Sequence, residues 1–170
     1  FMKKTASYIR LSLVGSVMFI RDRFEPIAEE LKKSLPEGVA MKKKPVAFLG
    51  REMGPEMQRA YAVANLLNVE GKLTPVIFDK IHTQRQVPQS RADVKQIFVD
   101  NGVPAEEFDG AVDSFAVSGM VSQFDRNTES YNVRGVPAFL VNGKYMVKIE
   151  SITSQEQFNQ LVKFLLAKKD

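Results

Sequence analysis

The chain has 170 residues, of which 44% are hydrophobic and 26% charged, the composition of an ordinary globular protein of one domain or one domain with an insertion. Its net charge is +4, and the basic run Lys42-Lys43-Lys44 lacks interleaved aromatic residues, so the sequence argues against a nucleic-acid-binding surface. The absence of cysteine excludes disulfides, thiol catalysis and thiolate metal sites, and a single histidine, His82, makes a transition-metal site improbable. Neither a Walker loop nor a GxGxxG motif occurs, and no cofactor is expected.

The N-terminal stretch permits two interpretations. Met2-Lys3-Lys4 followed by the apolar run 9–20 resembles a secretory leader, with a basic segment before a hydrophobic one. Against a leader, Arg10 interrupts the run and no A-x-A site follows it, and the run is too short to span a bilayer. The alternative, which we favour, is a buried strand over residues 9–17.

A helix is predicted next, over residues 22–34. Phe24, Ile27, Ala28 and Leu31 fall on one helical face, and Pro26 is expected in the first turn, which puts the helix start at residues 23–25. The lysine run is predicted to be a solvated turn. It is followed by a second strand, PVAFL at 45–49, parallel to the first strand in a βαβ unit.

Residues 55–129 show helical patterns throughout. Two helices are predicted, from about 57 to 67 and from Leu73 to Gln84. A third follows the N-cap Ser90 and a fourth begins at Pro104. Residues 116–125 either extend the fourth helix or form a fifth. Asn101-Gly102 is expected to end the helix that Ser90 begins.

A β-hairpin is predicted after this helical region. Ala138–Val141 is rich in strand formers, Asn142-Gly143 suits a type I′ turn, and residues 144–148 form the return strand. Pro137 precedes the first strand, and the Val136-Pro137 bond is a candidate for the cis form. A closing helix over 155–167, capped by Ser154 and Gln157, would bury five apolar side chains: Phe158, Leu161, Val162, Phe164 and Leu165.

The order β-α-β, helical insert, hairpin and helix is that of a thioredoxin fold of mixed α and β structure with an inserted all-helical domain. From Phe24 to the C-terminus the chain resembles the DsbA family of periplasmic disulfide oxidoreductases. The resemblance rests on five stretches: FEPIAEELKKSLPEG, VAFLGREMG, RAYAVANLL, FAVSGMV and RGVPAFLVNGKY. It implies a discontinuous thioredoxin-like domain, 1–52 with 130–170, around a helical insertion at 53–129.

In the family a CPHC motif occupies the start of the first helix, where the helix dipole stabilises the thiolate. Counting back from Phe24, the four positions hold Met18, Phe19, Ile20 and Arg21. Neither a thioether nor a guanidinium undergoes thiol–disulfide exchange. No catalytic residue of the motif is therefore intact, and the chain as written is expected to be inactive as a dithiol oxidase.

Other positions of the family's working surface are present. By resemblance, Pro137 is the cis-proline and Val136 the residue before it, and their backbone would pair with extended or unfolded secreted polypeptides. Glu25 and Lys43 fall near charged positions close to the family's redox site, although each also suits an ordinary solvated surface. The resemblance further implies a periplasmic location and the membrane reoxidant DsbB as a partner, although a chain without cysteine offers it no dithiol.

Three hypotheses for function follow. The chain is a disulfide-forming oxidoreductase whose first 23 residues have lost or misrepresent the redox centre, as a deletion joining a leader to Phe24 would produce. Alternatively, it is a cysteine-free module that binds extended peptides beside Pro137, or a purely structural thioredoxin-fold domain.

Overall fold

The computed structural model describes the backbone of residues 8–12, 18–47 and 52–168, with side chains from residue 26 onward in these ranges, apart from Lys43 and His82. Its strands and helices follow one another as β1 (Tyr8–Ser12), α1 (Met18–Ser34), β2 (Ala40–Lys44), α2 (Gly54–Leu66), α3 (Glu70–His82), α4 (Arg91–Asp100), α5 (Ala105–Val112), α6 (Phe115–Ser130), β3 (Ala138–Val141), β4 (Tyr145–Val147) and α7 (Gln155–Ala167). A short 3-10 turn, Ile149–Ser151, joins β4 to α7.

The chain divides into two compact units. Phe1–Lys44 and Tyr131–Asp170 form the sheet unit, and Pro45–Ser130 forms the helical unit. In the sheet unit the strand order is β2-β1-β3-β4. β1 is parallel to β2 and antiparallel to β3, and β3 is antiparallel to β4. This is the mixed sheet of the predicted thioredoxin fold.

The core of the sheet unit joins α1 and α7 to the hairpin. Its fully or nearly fully buried side chains come from α1, β3, β4 and α7: Ala28, Leu31, Phe139, Val141, Val147, Phe158 and Val162. The rings of Phe139 and Phe158 meet edge to face, with centroids 4.8 Å apart. Because this arrangement is favourable for aromatic pairs, it ties α7 to the central strand β3.

The second strand was predicted in the wrong place. The structure has β2 at Ala40–Lys44, paired in parallel with β1 from Tyr8↔Ala40 to Ser12↔Lys44, and not at 45–49. The lysines expected to form a turn therefore belong to an edge strand, where lysine is favoured because its charge blocks further strand pairing. Val46, taken for a strand residue, is buried within the helical unit.

The first predicted strand is confirmed over Ile9–Ser12, and residues 13–17 lie outside the described part of the chain. The first helix begins at Met18, before the predicted start at 23–25, and Pro26 lies inside it. Proline in a helix interior costs about 3 kcal/mol relative to alanine. The complete burial of Ala28 and Leu31, just beyond Pro26, is the kind of packing that outweighs such a cost.

The hairpin and the closing helix follow the prediction closely. Asn142 and Gly143 both have positive φ, 53° and 70°, and the Lys144 N–H donates to the Val141 carbonyl at 3.1 Å. Both positive angles are what a type I′ turn requires. The Asn142 side chain donates to the Leu165 carbonyl at 3.2 Å, which connects the turn to the end of α7. Phe164, predicted to point inward, is instead 64% exposed, because it lies on α7 well to the side of Phe158 and Val162.

The helical unit contains α2 to α6. Helix α2 is buried on most sides through Ala60, Ala62, Val63 and Ala64, so it is the central helix of this unit. Ser90 caps α4 in a reciprocal capping box with Asp93, and Gly102 follows the helix with φ of 86°, as predicted. Residues 116–125 belong to a separate helix, α6, whose first turn is capped by the Ser114 hydroxyl.

Candidate functional site

The segment before β3 carries the two predicted binding residues. The Val136-Pro137 peptide bond is cis, and both side chains are half-buried. Proline donates no ladder hydrogen bond, so its place immediately before Ala138 lets β3 begin without an unsatisfied partner. The structure therefore places Val136 and Pro137 together at the end of the central strand β3.

These two residues line a groove of about 690 Å³ in the sheet unit. One wall is the segment Asn132–Phe139, and the other is the stretch from Met146 to Gln155 that leaves β4 and enters α7. Ile27 of α1 and Phe158 of α7 complete the lining. A concave site with an apolar interior and a few polar groups at its edge is what peptide and small-molecule ligands occupy.

The wall that enters α7 is held by local hydrogen bonds. The Ser154 hydroxyl accepts from the Gln157 N–H at 3.1 Å, and Gln157 Oε1 accepts from the Thr153 N–H at 2.8 Å. Gln155 Nε2 donates to the Ile27 carbonyl at 3.2 Å, so the start of α7 is attached to α1 across the groove lining. These contacts position the α7 end of the second wall before any ligand binds.

Charged side chains stand at the edge of the groove. Arg134, Lys148 and Glu150 line it and are exposed. Arg134 Nε donates to Asn132 Oδ1 at 2.9 Å, which holds the guanidinium beside the first wall. The groove therefore combines an apolar interior with two cations and one carboxylate at its rim.

The positions predicted to correspond to the redox motif lie at the start of α1. Met18, Phe19, Ile20 and Arg21 are its first four residues, and their side chains lie outside the described part of the structure. Ile27 follows Arg21 by six residues, or about 9 Å along a helix, and lines the groove. The four predicted positions therefore lie at a helix N-terminus, whereas the sequence supplies no thiol.

The remaining predicted residues lie on the same unit. Glu25 belongs to α1 and Lys43 to β2, and their side chains are not among those described. Their role stays a prediction. Within the described residues no group of acidic, histidine or cysteine side chains could hold a metal ion. Among the described helices, none combines the length and hydropathy needed to span a bilayer.

The sequence-based interpretation missed the second wall of the groove. Ile149 and Ile152 lie after the hairpin, in a stretch that was assigned to no element, and both are half-buried in the groove lining. Two isoleucines between a strand and a helix were a usable signal, because isoleucine is among the residue types most often buried. Ile27, which lines the same groove, lies more than a hundred residues earlier in the chain and could not be connected with them from the sequence.

The topology of the sheet unit, with a cis-proline immediately before β3 and a groove beside it, defines a protein of the thioredoxin-fold class. The chain belongs to the DSBA-like thioredoxin domain family, which it matches over residues 18–163. That family carries out thiol:disulfide interchange, and this chain, without cysteine, lacks the groups for the reaction.

Known relatives agree with this assignment. The chain is 42% identical over 149 residues to the thiol:disulfide interchange protein DsbA of Pectobacterium carotovorum subsp. carotovorum, covering 84% of this chain and 71% of that protein. It is 40% identical, with the same coverage, to DsbA of Dickeya dadantii. Among solved structures, a cysteine-to-serine variant of Proteus mirabilis DsbA, bound non-covalently to the peptide PWATCDS, superimposes with a TM-score of 0.83 at 30% identity, covering 96% of this chain and 89% of that one.

Proposed function

We propose that this chain is a redox-inactive member of its family that binds extended polypeptides in the groove beside Val136 and Pro137. The observation that carries the proposal is that the chain has no cysteine and yet retains an apolar groove of about 690 Å³ along the segment Asn132–Phe139. A relative with the same fold, in a variant with one cysteine replaced by serine, holds a peptide without a covalent bond, which supports binding that is independent of disulfide exchange.

The mode of binding follows from the elements that build the groove. Val136 and Pro137 lie next to a strand, so an extended chain there pairs with exposed main-chain groups while its side chains enter the groove. Main-chain pairing gives affinity with little dependence on sequence, and the pocket selects among side chains. Ile27 and Ile152, both half-buried, supply apolar surface for one large side chain.

The remaining roles belong to the same proposal. The polypeptides are secreted chains in the periplasm. Residues 53–129, which lie within the helical unit Pro45–Ser130, form a helical domain inserted in the chain order of the thioredoxin-like domain. Met18 to Arg21 mark the former redox motif, with Glu25 and Lys43 near it. DsbB has no dithiol to oxidise in this chain, so an encounter with it would be non-productive.

Fluorescence anisotropy with the labelled peptide PWATSDS, in which serine replaces the cysteine of the peptide held by the Proteus relative, tests the proposal. Met146 lines the groove and is 38% exposed, so Met146→Glu is expected to fold and to weaken binding. Loss of about 1 kcal/mol of apolar contact corresponds to roughly a fivefold increase in Kd.

Val87→Glu is the matched control, because Val87 is 50% exposed and belongs to the helical unit. It introduces the same charge and should leave Kd unchanged. If the wild-type chain does not bind the peptide, or if both variants weaken binding equally, the groove is not a peptide site.

A further inference from the structure

The two units carry opposite net charge. The sheet unit contains 16 lysine and arginine residues against 8 aspartate and glutamate residues, a net charge of +8, whereas the helical unit has 8 against 12, a net charge of −4. The overall charge of +4 hides this asymmetry. Since a charged surface attracts ligands of the opposite sign over about a Debye length, the unit that holds the groove favours anionic partners.

The rim of the groove shows the same sign. Arg134 and Lys148 stand on its two walls, and Glu150 is the one carboxylate among the described lining residues. None of the ion pairs formed by the described side chains involves these three residues. Arg134 uses Nε toward Asn132, so the donors of its terminal nitrogens remain for a second acceptor.

We propose that the groove selects acidic polypeptides, binding an apolar side chain in its interior and carboxylates of flanking residues at Arg134 and Lys148. The proposal rests on the peptide-binding function proposed above and names its substrate class. When an apolar side chain of the peptide enters the groove between the two walls, the residues before and after it in the peptide lie at the rim, beside Arg134 and Lys148. Glu150 disfavours further acidic residues on its own wall, so the carboxylate nearest Arg134 should contribute most.

The size of the effect follows from the exposure of these groups. Ion pairs between exposed side chains contribute modestly, and rim charges act mainly on the association rate and its salt dependence. Two such pairs are expected to give a preference of about three- to tenfold for an acidic over a neutral peptide. The preference should shrink at high salt, because screening weakens exposed pairs first.

The experiment measures Kd by anisotropy for three labelled peptides with one apolar anchor, DDWATDD, SSWATSS and KKWATKK, at about 50 and 500 mM salt. The wild-type chain should bind them in that order of decreasing affinity. Arg134→Ala/Lys148→Ala should bind all three alike. The control Arg126→Ala/Lys163→Ala removes the same charge from exposed residues outside the groove lining and should keep the preference.

The outcomes separate this inference from the function it rests on. Equal affinity of the wild-type chain for the three peptides, or a preference that survives in Arg134→Ala/Lys148→Ala, refutes acidic selectivity and leaves peptide binding intact. If the control variant Arg126→Ala/Lys163→Ala loses the preference for the acidic peptide as fully as Arg134→Ala/Lys148→Ala does, the preference comes from net charge, and this result also refutes a role for the rim residues. Failure of all three peptides to bind removes the proposed function itself.

Discussion

Phe158 connects the core of the sheet unit to the groove, and its truncation gives the sharpest test of this structure. Its side chain is 2% exposed, packs edge to face on Phe139 and also lines the groove. Phe158→Ala removes a buried ring and leaves a cavity, a change that costs about 3–5 kcal/mol of unfolding free energy. The edge-to-face pair favours the middle or upper part of this range, because such pairs contribute about 0.5–1.5 kcal/mol beyond area burial.

Phe164 provides a matched control on the same helix. It is 64% exposed, so Phe164→Ala removes the same atoms from a site that buries only about a third of them. With about 1.5–3 kcal/mol for full burial of such a side chain, the expected loss is about 0.5–1 kcal/mol. The two variants should therefore differ by roughly 3 kcal/mol, although they are the same substitution in one helix.

The assay is urea unfolding followed by circular dichroism, combined with hydrogen exchange of the β3 amides. Exchange is needed because the two units can unfold separately, and a single transition would then mix their stabilities. Phe158→Ala should accelerate exchange in β3, whereas Phe164→Ala should leave it nearly unchanged. Equal losses of stability in the two variants would refute the assignment of Phe158 to the core and of Phe164 to the surface.

Three further predictions concern other parts of the chain. In thermal unfolding, Gly54→Ala should lower stability by about 1–3 kcal/mol, because a Cβ there would overlap the Ala47 carbonyl oxygen and lie 2.9 Å from the carbonyl carbon. Gly119→Ala is the control: a Cβ there meets nothing within 4 Å, so this variant should be about 0.5–1 kcal/mol more stable. A Gly54→Ala variant as stable as wild type would contradict the close approach. The wild-type chain should show no insulin reduction, and turnover by the purified cysteine-free chain would refute the inactive assignment. We expect activity from the variant Met18→Cys/Phe19→Pro/Ile20→His/Arg21→Cys, because α1 begins at Met18 and a helix N-terminus stabilises a thiolate. The hydrogen bond from Arg91 lowers the pKa of Glu56 below its ordinary value of 4.5. Wild type should therefore be more stable than Glu56→Gln above pH 4.5, and the difference in stability should disappear as the pH falls through the lowered pKa. A difference in stability that does not depend on pH would show that the Glu56 carboxylate is not its cause.

Local chemistry made much of the chain predictable. Ser90 and Asn101-Gly102 delimit α4, and Asn142-Gly143 makes the hairpin turn, because each feature depends on hydrogen bonds or backbone angles within a few residues. The absence of cysteine settles the lack of dithiol chemistry without any structure, since no fold can supply a missing sulfur. The thioredoxin fold itself followed from the order of the elements.

Only the tertiary structure decided which segments pair and which faces are covered. The lysines of Ala40–Lys44 form an edge strand because β1 offers them a partner, while the more apolar 45–47 enters the helical unit. Phe158 and Phe164 are the same residue type on the same helix, but Phe158 packs on Phe139 in the core whereas Phe164 is 64% exposed. The groove is lined by both Ile152 and Ile27, which are more than a hundred residues apart in sequence. Such contacts depend on the path of the whole chain, and no local pattern of residues encodes them.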